Sequence, residues 1–299
     1  MKKVLVTRNI IQDGINLLKD HGFMVDVWTE PRPMTAEELN DWAPRYDALI
    51  TSLADPINKK FLEKNAHLKI ISNYAVGINN IDLETAQALN IKIGNTPDVL
   101  TEATAETAMG LMIAAARNFR SAMKNAENGQ WKHFEPQGHL GHALYGKKLG
   151  IVGYGKIGKR LGEMCSGAFK MDVRGFKRGE NILEFLKDLD VLSLNIPLTP
   201  ESRHIIGDRE LSVMKKTAIL INTARGEVID QDALYMALKN KTIFSAGLDV
   251  TTPEPLVPEH PLYSLPNVII LPHIGSATFE ARTQMSILSA RNIIEAFRE

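Results

Sequence analysis

The chain has 299 residues, 44% of them hydrophobic, with 35 Lys plus Arg set against 35 Asp plus Glu. That apolar content builds a packed core and excludes a disordered chain, and the length suits about two domains. The balanced charge excludes a field that would draw the protein to nucleic acid or to an anionic membrane, so neither partner is expected and any charge selectivity is local.

The opening MKKVLVTRN holds an apolar run of only Val4 to Val6 before Arg8, too short for a signal peptide or a membrane span. It reads as a first strand. Short runs rich in Val and Ile then alternate with helical patterns: KVLVT, FMVDVW, DALIT and LKIIS, then KKLGIVG, DVLSLNI, TAILINT, FSAGLDV and NVIILPH. Such alternation predicts an α/β protein of two doubly wound parallel-sheet units, their strands buried on both faces. Between the two groups, TPDVLTEATAETAMGLMIAAARNF predicts one long helix with Thr101 at its N-cap and no clear polar stripe. A helix that apolar should be buried, against the core or a second subunit. The lone Cys165 falls inside another predicted helix, where it reads as a small buried hydrophobe in a reducing, cytoplasmic protein. Residues 277–299 carry Ile287, Ile293, Ile294 and Phe297 at helical spacing and have no strand of their own to cover. They are expected to return to the first unit, giving a discontinuous domain of 1–97 and 274–299 around a second domain of 98–273.

IVGYGKIGKRLGEM places Gly153, Gly155 and Gly158 in G-x-G-x-x-G spacing, directly after an apolar strand and opening a helix. The first glycine permits the tight turn, the second lets backbone amides approach a pyrophosphate, and the third lets helix pack on strand. The next strand, MDVRGF, ends at Phe176, so the position that reads the adenine ribose is Lys177, with Arg178 beside it. A carboxylate there would accept from a 2′-hydroxyl and repel a 2′-phosphate; two cations reverse the preference. A 2′-phosphate carries about −1.5 to −2 charges, and one or two kcal/mol of net attraction is already about tenfold in cofactor choice. NADP(H) is therefore expected over NAD(H), the plain alternative being solvated surface cations.

Three polar residues stand at the carboxyl ends of apolar strands, where open α/β sheets bind ligands: Arg225 in ILINTARGEVID, Glu254 in GLDVTTPEP and His273 in IILPHIGSAT. Singly they read as a surface arginine, a loop carboxylate and a satisfied histidine. Together they suit hydride reduction of a 2-keto acid. An arginine docks the carboxylate and polarises the ketone, a histidine supplies the proton, and a carboxylate orients the imidazole.

With these residues in place the chain resembles the D-isomer-specific 2-hydroxyacid dehydrogenases, within them the glyoxylate/hydroxypyruvate reductases. The likeness runs through NYAVGINNIDLETA, NTPDVLTEATAE, GQW, LYGKKLGIVGYGKIGK, IPLTPESRHIIG, INTARGEVID, AGLDV, PEP and PHIGSAT, nearly the whole chain. The resemblance implies a flavodoxin-like substrate domain and a Rossmann cofactor domain with a cleft between them. It also implies catalytic Arg225, Glu254 and His273, and a substrate-carboxylate loop at Ala75, Val76 and Gly77, with Arg225 and His273 also on the substrate. Cofactor contacts carry over to Val76, Gly155, Lys156, Ile157, Ile196, Pro197, Thr223, Ala224, Arg225, Asp249, His273 and Gly275; for Asp249, capping of its strand end is an equal alternative. A homodimer and a small polar 2-keto acid are implied as well, with Trp131 either reaching a neighbouring subunit or lying in the core. Two departures stand out: the acidic residue of NAD-dependent members is replaced by Lys177 and Arg178, and the short stretch from Arg178 to DVLSLNI leaves no room for a further strand. A bulkier 2-keto acid, formate or phosphite oxidation, and a non-catalytic dinucleotide-sensing role like that of a related corepressor are the competing readings. His133, His139 and His142 share one loop without the ligand set of a metal site, so no metal is expected.

Overall fold

The computed structural model describes residues 1–298; Glu299, the last residue of the expected C-terminal segment, lies outside them. The chain folds as two compact units, Met1–Leu100 with the chain from Ala277 onward, and Thr101–Ser276.

In the first unit, β1 (Lys3–Val6), α1 (Gln12–Asp20), β2 (Met24–Val27), α2 (Ala36–Trp42), β3 (Ala48–Thr51), α3 (Lys59–Lys64), β4 (Ile70–Asn73), α4 (Leu83–Ala88) and β5 (Lys92–Gly94) alternate along the chain. All pairings are parallel, in the order β2-β1-β3-β4-β5. Central β3 and β4 are buried throughout, which is why they read as unbroken apolar runs, whereas edge β2 alternates exposed and half-buried. Side-chain caps start the short helices: Thr35 with Glu38 forms a capping box, and Asn58 and Asp82 accept from the N3 amides of α3 and α4.

The second unit holds α5 (Thr101–Ala116), α6 (Phe119–Glu127), β6 (Lys148–Val152), α7 (Lys156–Phe169), β7 (Asp172–Gly175), α8 (Ile182–Leu186), β8 (Val191–Leu194), α9 (Asp208–Val213), β9 (Ile219–Asn222), α10 (Gln231–Lys239), β10 (Ser245–Leu248) and β11 (Val268–Ile270). Its six strands are parallel, in the order β11-β10-β9-β8-β6-β7. β7 is the edge, and among the described residues no strand lies beyond it.

The last helix, α11 (Phe279–Arg298), belongs to the first unit and packs on α1 and β4. The approach is close: a Cβ built on Gly14 would stand 2.1 Å from the Ser286 carbonyl oxygen. The Ser286 hydroxyl accepts from the Gly14 amide (3.0 Å) and donates to the Ile11 carbonyl.

Two expectations need correction. Thr101, expected at the N-cap of the apolar helix, is instead the first residue of α5, and the helix ends at Ala116, just before Asn118 takes a left-handed backbone (φ 53°). An Asn accepts that conformation more readily than most residues, and the apolar run gives no sign of it. β5, three residues long, was not among the predicted strands. The rest of the α5 expectation holds within its own unit: Ala105, Ala108, Leu111, Met112, Ala115 and Ala116 are buried, together with Leu149, Ile151, Leu161 and Ile221.

Candidate active site

The second sheet reverses its strand order between β6 and β8, and open α/β sheets bind ligands at such a switch. The loop after β6 is the glycine turn. Gly153 has φ 91°, and a Cβ there would lie 2.5 Å from the Asn195 carbonyl, so only glycine serves. A Cβ on Gly158 would come within 2.5 Å of the Gly153 oxygen. Gly155 differs: it is the N-cap of α7, has no side chain to accept from the first-turn amides, and a Cβ there meets nothing within 4 Å. Open space before the first amides of a 14-residue helix, at Lys156 and Ile157, fits a pyrophosphate. Ile196 and Pro197 follow β8 on the other side of the switch, with Asn195 bonded to Val152 (2.8 Å) and Pro197 to the Ser202 hydroxyl (2.8 Å).

At the end of β7, Phe176 packs on buried Phe185, ring centroids 5.2 Å apart, and fixes the start of a turn. The Glu180 amide donates to the Lys177 carbonyl (3.1 Å), and the Glu180 carboxylate accepts from the Lys177 amide (3.2 Å) while pairing with Arg174. The Lys177 and Arg178 side chains are exposed. Thr199 holds the Glu201 carboxyl below its usual range, with the charge of Arg178 a lesser cause. Sequence reasoning gave Glu180 no role: an acid does stand in the turn after β7, spent on Arg174 and a backbone amide.

The polar residues at the other strand ends are held by buried groups. Beyond β9, Asn222 accepts from the Ala224 amide (3.0 Å) and donates to the Arg225 carbonyl (2.9 Å), bracing the turn that carries Arg225. Thr223 donates to Asn195 (3.3 Å). The Arg225 guanidinium donates to the Ala224 carbonyl (2.7 Å), and burial pushes its pKa down against the charges of Glu254 and Glu227. An arginine remains charged under such a shift.

His273 Nδ1 is hydrogen-bonded to Glu254 Oε1. A carboxylate accepts, so Nδ1 carries the proton and Nε2 is the ring nitrogen left for chemistry. The His273 backbone is left-handed, φ 54°, a strained conformation for histidine. Buried Asp249, just past β10, holds it there: its carbonyl accepts from the His273 amide (2.9 Å), and its carboxylate from the amides of Ile274 (2.7 Å) and Gly275 (2.8 Å). Burial pushes the Asp249 carboxyl up, against those two amides and the charge of His273. Both carboxylate oxygens thus anchor the histidine loop, the strand-end role weighed beside cofactor contact.

In the first unit the loop Ala75–Gly77 follows β4. Its carbonyls are tied down, Ala75 by the Thr96 amide (2.8 Å), Val76 by Asn95 (2.9 Å) and Gly77 by Asn73 (2.9 Å). Trp131 is 73% exposed, which removes the core reading. His133 pairs with Glu135 and His142 meets the Phe244 ring edge to face; among the described residues no group of three or more His, Cys, Asp or Glu is placed to hold a metal. Cys165 is fully buried and burial raises its thiol to about 11, so it is an inert hydrophobe. No helix of the described residues is long and apolar enough to cross a membrane.

Residues 109–275 match the family model of the D-isomer specific 2-hydroxyacid dehydrogenase NAD binding domain. A glyoxylate reductase of Thermococcus gammatolerans is 43% identical over 98% of this chain and 92% of its own. This chain belongs to the D-isomer-specific 2-hydroxyacid dehydrogenase family. Solved structures agree: a Thermus thermophilus protein superposes with a TM-score of 0.94 at 38% identity, covering 99% of this chain and 97% of that one. An NADPH-dependent glyoxylate/hydroxypyruvate reductase of Sinorhizobium meliloti, bound to NADP and malonate, does so at 0.82 and 29% identity, covering 99% and 93%. As a 2-hydroxyacid dehydrogenase the protein is an NAD(P)-dependent oxidoreductase with a Rossmann dinucleotide-binding unit.

Proposed function

We propose that the protein reduces a small 2-keto acid, of the glyoxylate or hydroxypyruvate kind, to the D-2-hydroxy acid with NADPH. The observation that carries this reading is the His273–Glu254 pair, held on a braced loop, with Arg225 on the turn beyond β9 of the same sheet. The reduced nicotinamide, when bound, supplies the hydride. Arg225 binds the substrate carboxylate and polarises the ketone with charge-assisted hydrogen bonds. His273 Nε2 gives its proton to the developing alkoxide, and Glu254 keeps the ring in the required tautomer and balances the imidazolium. Gly153 to Gly158 and the first turn of α7 hold the pyrophosphate, Lys177 and Arg178 the 2′-phosphate. Ile196, Pro197, Thr223, Ala224 and Gly275 border the dinucleotide, and Asp249 acts through the histidine loop. In the first unit the Ala75–Gly77 loop recognises the substrate carboxylate through the Val76 and Gly77 amides, the Ala75 amide being held by the Asn73 carbonyl (2.8 Å). We assign the segment 98–273 to the cofactor, and 1–97 with 274–299 to the substrate.

Two further points belong to the same reading. The protein is a cytoplasmic homodimer: α6 buries no residue, and Phe119, Met123, Trp131, Phe134, Leu140 and Tyr145 lie exposed between residues 119 and 145, a run of apolar surface a second copy would cover. The test of the chemistry is initial-rate reduction of glyoxylate and hydroxypyruvate with NADPH and NADH, repeated with Lys177 and Arg178 both changed to Ala. A preference for NADPH that collapses by about tenfold or more in the double variant supports the reading. Equal use of both cofactors, unchanged in the variant, refutes the 2′-phosphate site, and no turnover with either refutes the reaction.

A further inference from the structure

The first unit contains a cavity of about 590 Å³ that the proposed chemistry leaves unused. It lies at the switch point of that unit's sheet, where the strand order reverses between β1 and β3. Arg8 follows β1, Ser52 follows β3, Tyr74 follows β4, and Thr278, Glu280 and Arg282 come from the start of α11. Open parallel sheets bind ligands at this position, and here its walls carry two guanidinium groups.

Each guanidinium is placed by its surroundings. Arg282 sits over the Tyr74 ring, 5.8 Å from its centroid, and the Tyr74 hydroxyl donates to the Arg282 carbonyl (2.7 Å), locking the first turn of α11 to the end of β4. Arg8 Nη1 is buried without a hydrogen-bond partner, a donor that an incoming acceptor would satisfy. The positive end of α11, a 20-residue helix capped by Thr278 accepting from Ala281 (3.1 Å), adds to the same potential. Two acids oppose it. Glu280 is exposed on the cavity wall, and Asp55 lies buried below, accepting from Thr7 and Ser52. Burial pushes the Asp55 carboxyl up despite Thr7, Ser52 and Arg8, and its Oδ1, like Arg8 Nη1, is buried without a hydrogen-bond partner. The room far exceeds what glyoxylate fills.

We infer that this cavity takes a second carboxylate, at the far end of the keto acid, and that Arg8 and Arg282 make the protein competent for 2-keto dicarboxylic acids. The inference rests on the proposed 2-keto acid reduction. Tyr74 connects the two, since it lines the cavity and is followed directly by the Ala75–Gly77 loop assigned to the reacting carboxylate. The reaction balances as for any 2-keto acid: the carbonyl carbon gains the hydride, the oxygen gains the proton of His273, the reduced nicotinamide is oxidised, and the distal carboxylate is unchanged.

The test compares 2-ketoglutarate with 2-ketovalerate, equal in carbon chain and differing in the distal charge, by their ratio of kcat/KM with NADPH. A ratio above about tenfold is expected in the unaltered protein, falling at least tenfold in Arg8→Gln and in Arg282→Gln and rising in Glu280→Gln. A ratio near one in the unaltered protein, or one that the arginine variants leave alone, overturns the inference. Arg8→Lys, which keeps the charge, covers the case in which Arg8→Gln fails to fold. Failure to reduce even glyoxylate would mark failure of the proposed reaction instead. Calorimetric binding of glutarate to the full chain then decides the cavity separately: binding abolished by Arg282→Gln upholds an anion site, and binding that the substitution leaves unchanged, or none at all, removes it.

Discussion

Replacing Asp249 with Ala tests whether the histidine loop is held from beneath. The substitution removes two charge-assisted hydrogen bonds, to the amides of Ile274 and Gly275 at 2.7 and 2.8 Å, and leaves the latter donor in a buried residue. Bonds to a charged acceptor contribute about 1.5–3 kcal/mol each. Against their sum stands the cost of burying Asp249, visible as its raised pKa, so a net loss of about 3 kcal/mol is expected. In a unit the size of Thr101–Ser276 each kcal/mol moves Tm by about 2–4 °C, giving a fall of about 6–12 °C. The same bonds hold His273 in its left-handed backbone, which costs a non-glycine residue about 1–2 kcal/mol, so without them the loop relaxes. A catalytic imidazole displaced by about 1 Å loses about 10²-fold in rate. Differential scanning calorimetry and glyoxylate turnover read the two effects. An Asp249→Ala protein with Tm within a degree of the original and full kcat would show that the loop holds its shape unaided.

Three other outcomes are expected. His273→Asn lowers kcat by about 10²-fold or more while the NADPH Kd, read by fluorescence, changes far less; comparable losses in both would take the proton from His273. Asp190 lies below its usual pKa although burial alone would raise it, because the Lys148 amide (2.9 Å), Lys215 (3.0 Å) and the nearby Lys147 charge outweigh that penalty. A depressed carboxyl stabilises the fold above its unfolded pKa and ceases to do so as pH falls through the folded value, so the Tm deficit of Asp190→Asn should be full at pH 7 and close below about pH 4. A deficit independent of pH would assign it to packing. Finally, Trp131→Glu combined with Phe134→Glu should convert a dimeric mass in light scattering to a monomeric one, and a monomeric mass in the unaltered protein removes the dimer.

Central strands were the most legible part of the fold. VLSL and ILIN are buried at every position, so their apolar runs have one physical explanation. β5 escaped because three residues, one exposed and two half-buried, carry no period. The apolar run located α5, but composition gave no mark of the left-handed Asn118 that follows its end. At the site, Arg225, Glu254 and His273 stood out as polar groups ending apolar strands, and the His273–Glu254 bond brings two of them together. The groups that brace them were less visible. Asn222 ends the apolar strand ILIN and shapes the turn that follows, and Asn195, just past VLSL, accepts from Thr223 of that turn. Glu180 had no such mark, since its part is set by the fold of a four-residue turn.

The place of α11 in the chain has a consequence for synthesis. The first unit is begun at residue 1, yet the helix whose Ser286 meets Gly14 and Ile11 is the last of its elements to leave the ribosome. Until then α1 and β4 lack the cover that α11 gives, while the second unit, contiguous in the chain, has every element it needs as soon as Ser276 is made. The later half of the protein can therefore complete its core first, and the half that begins the chain waits with apolar surface bare, the condition under which a nascent chain is most exposed to aggregation and to chaperones.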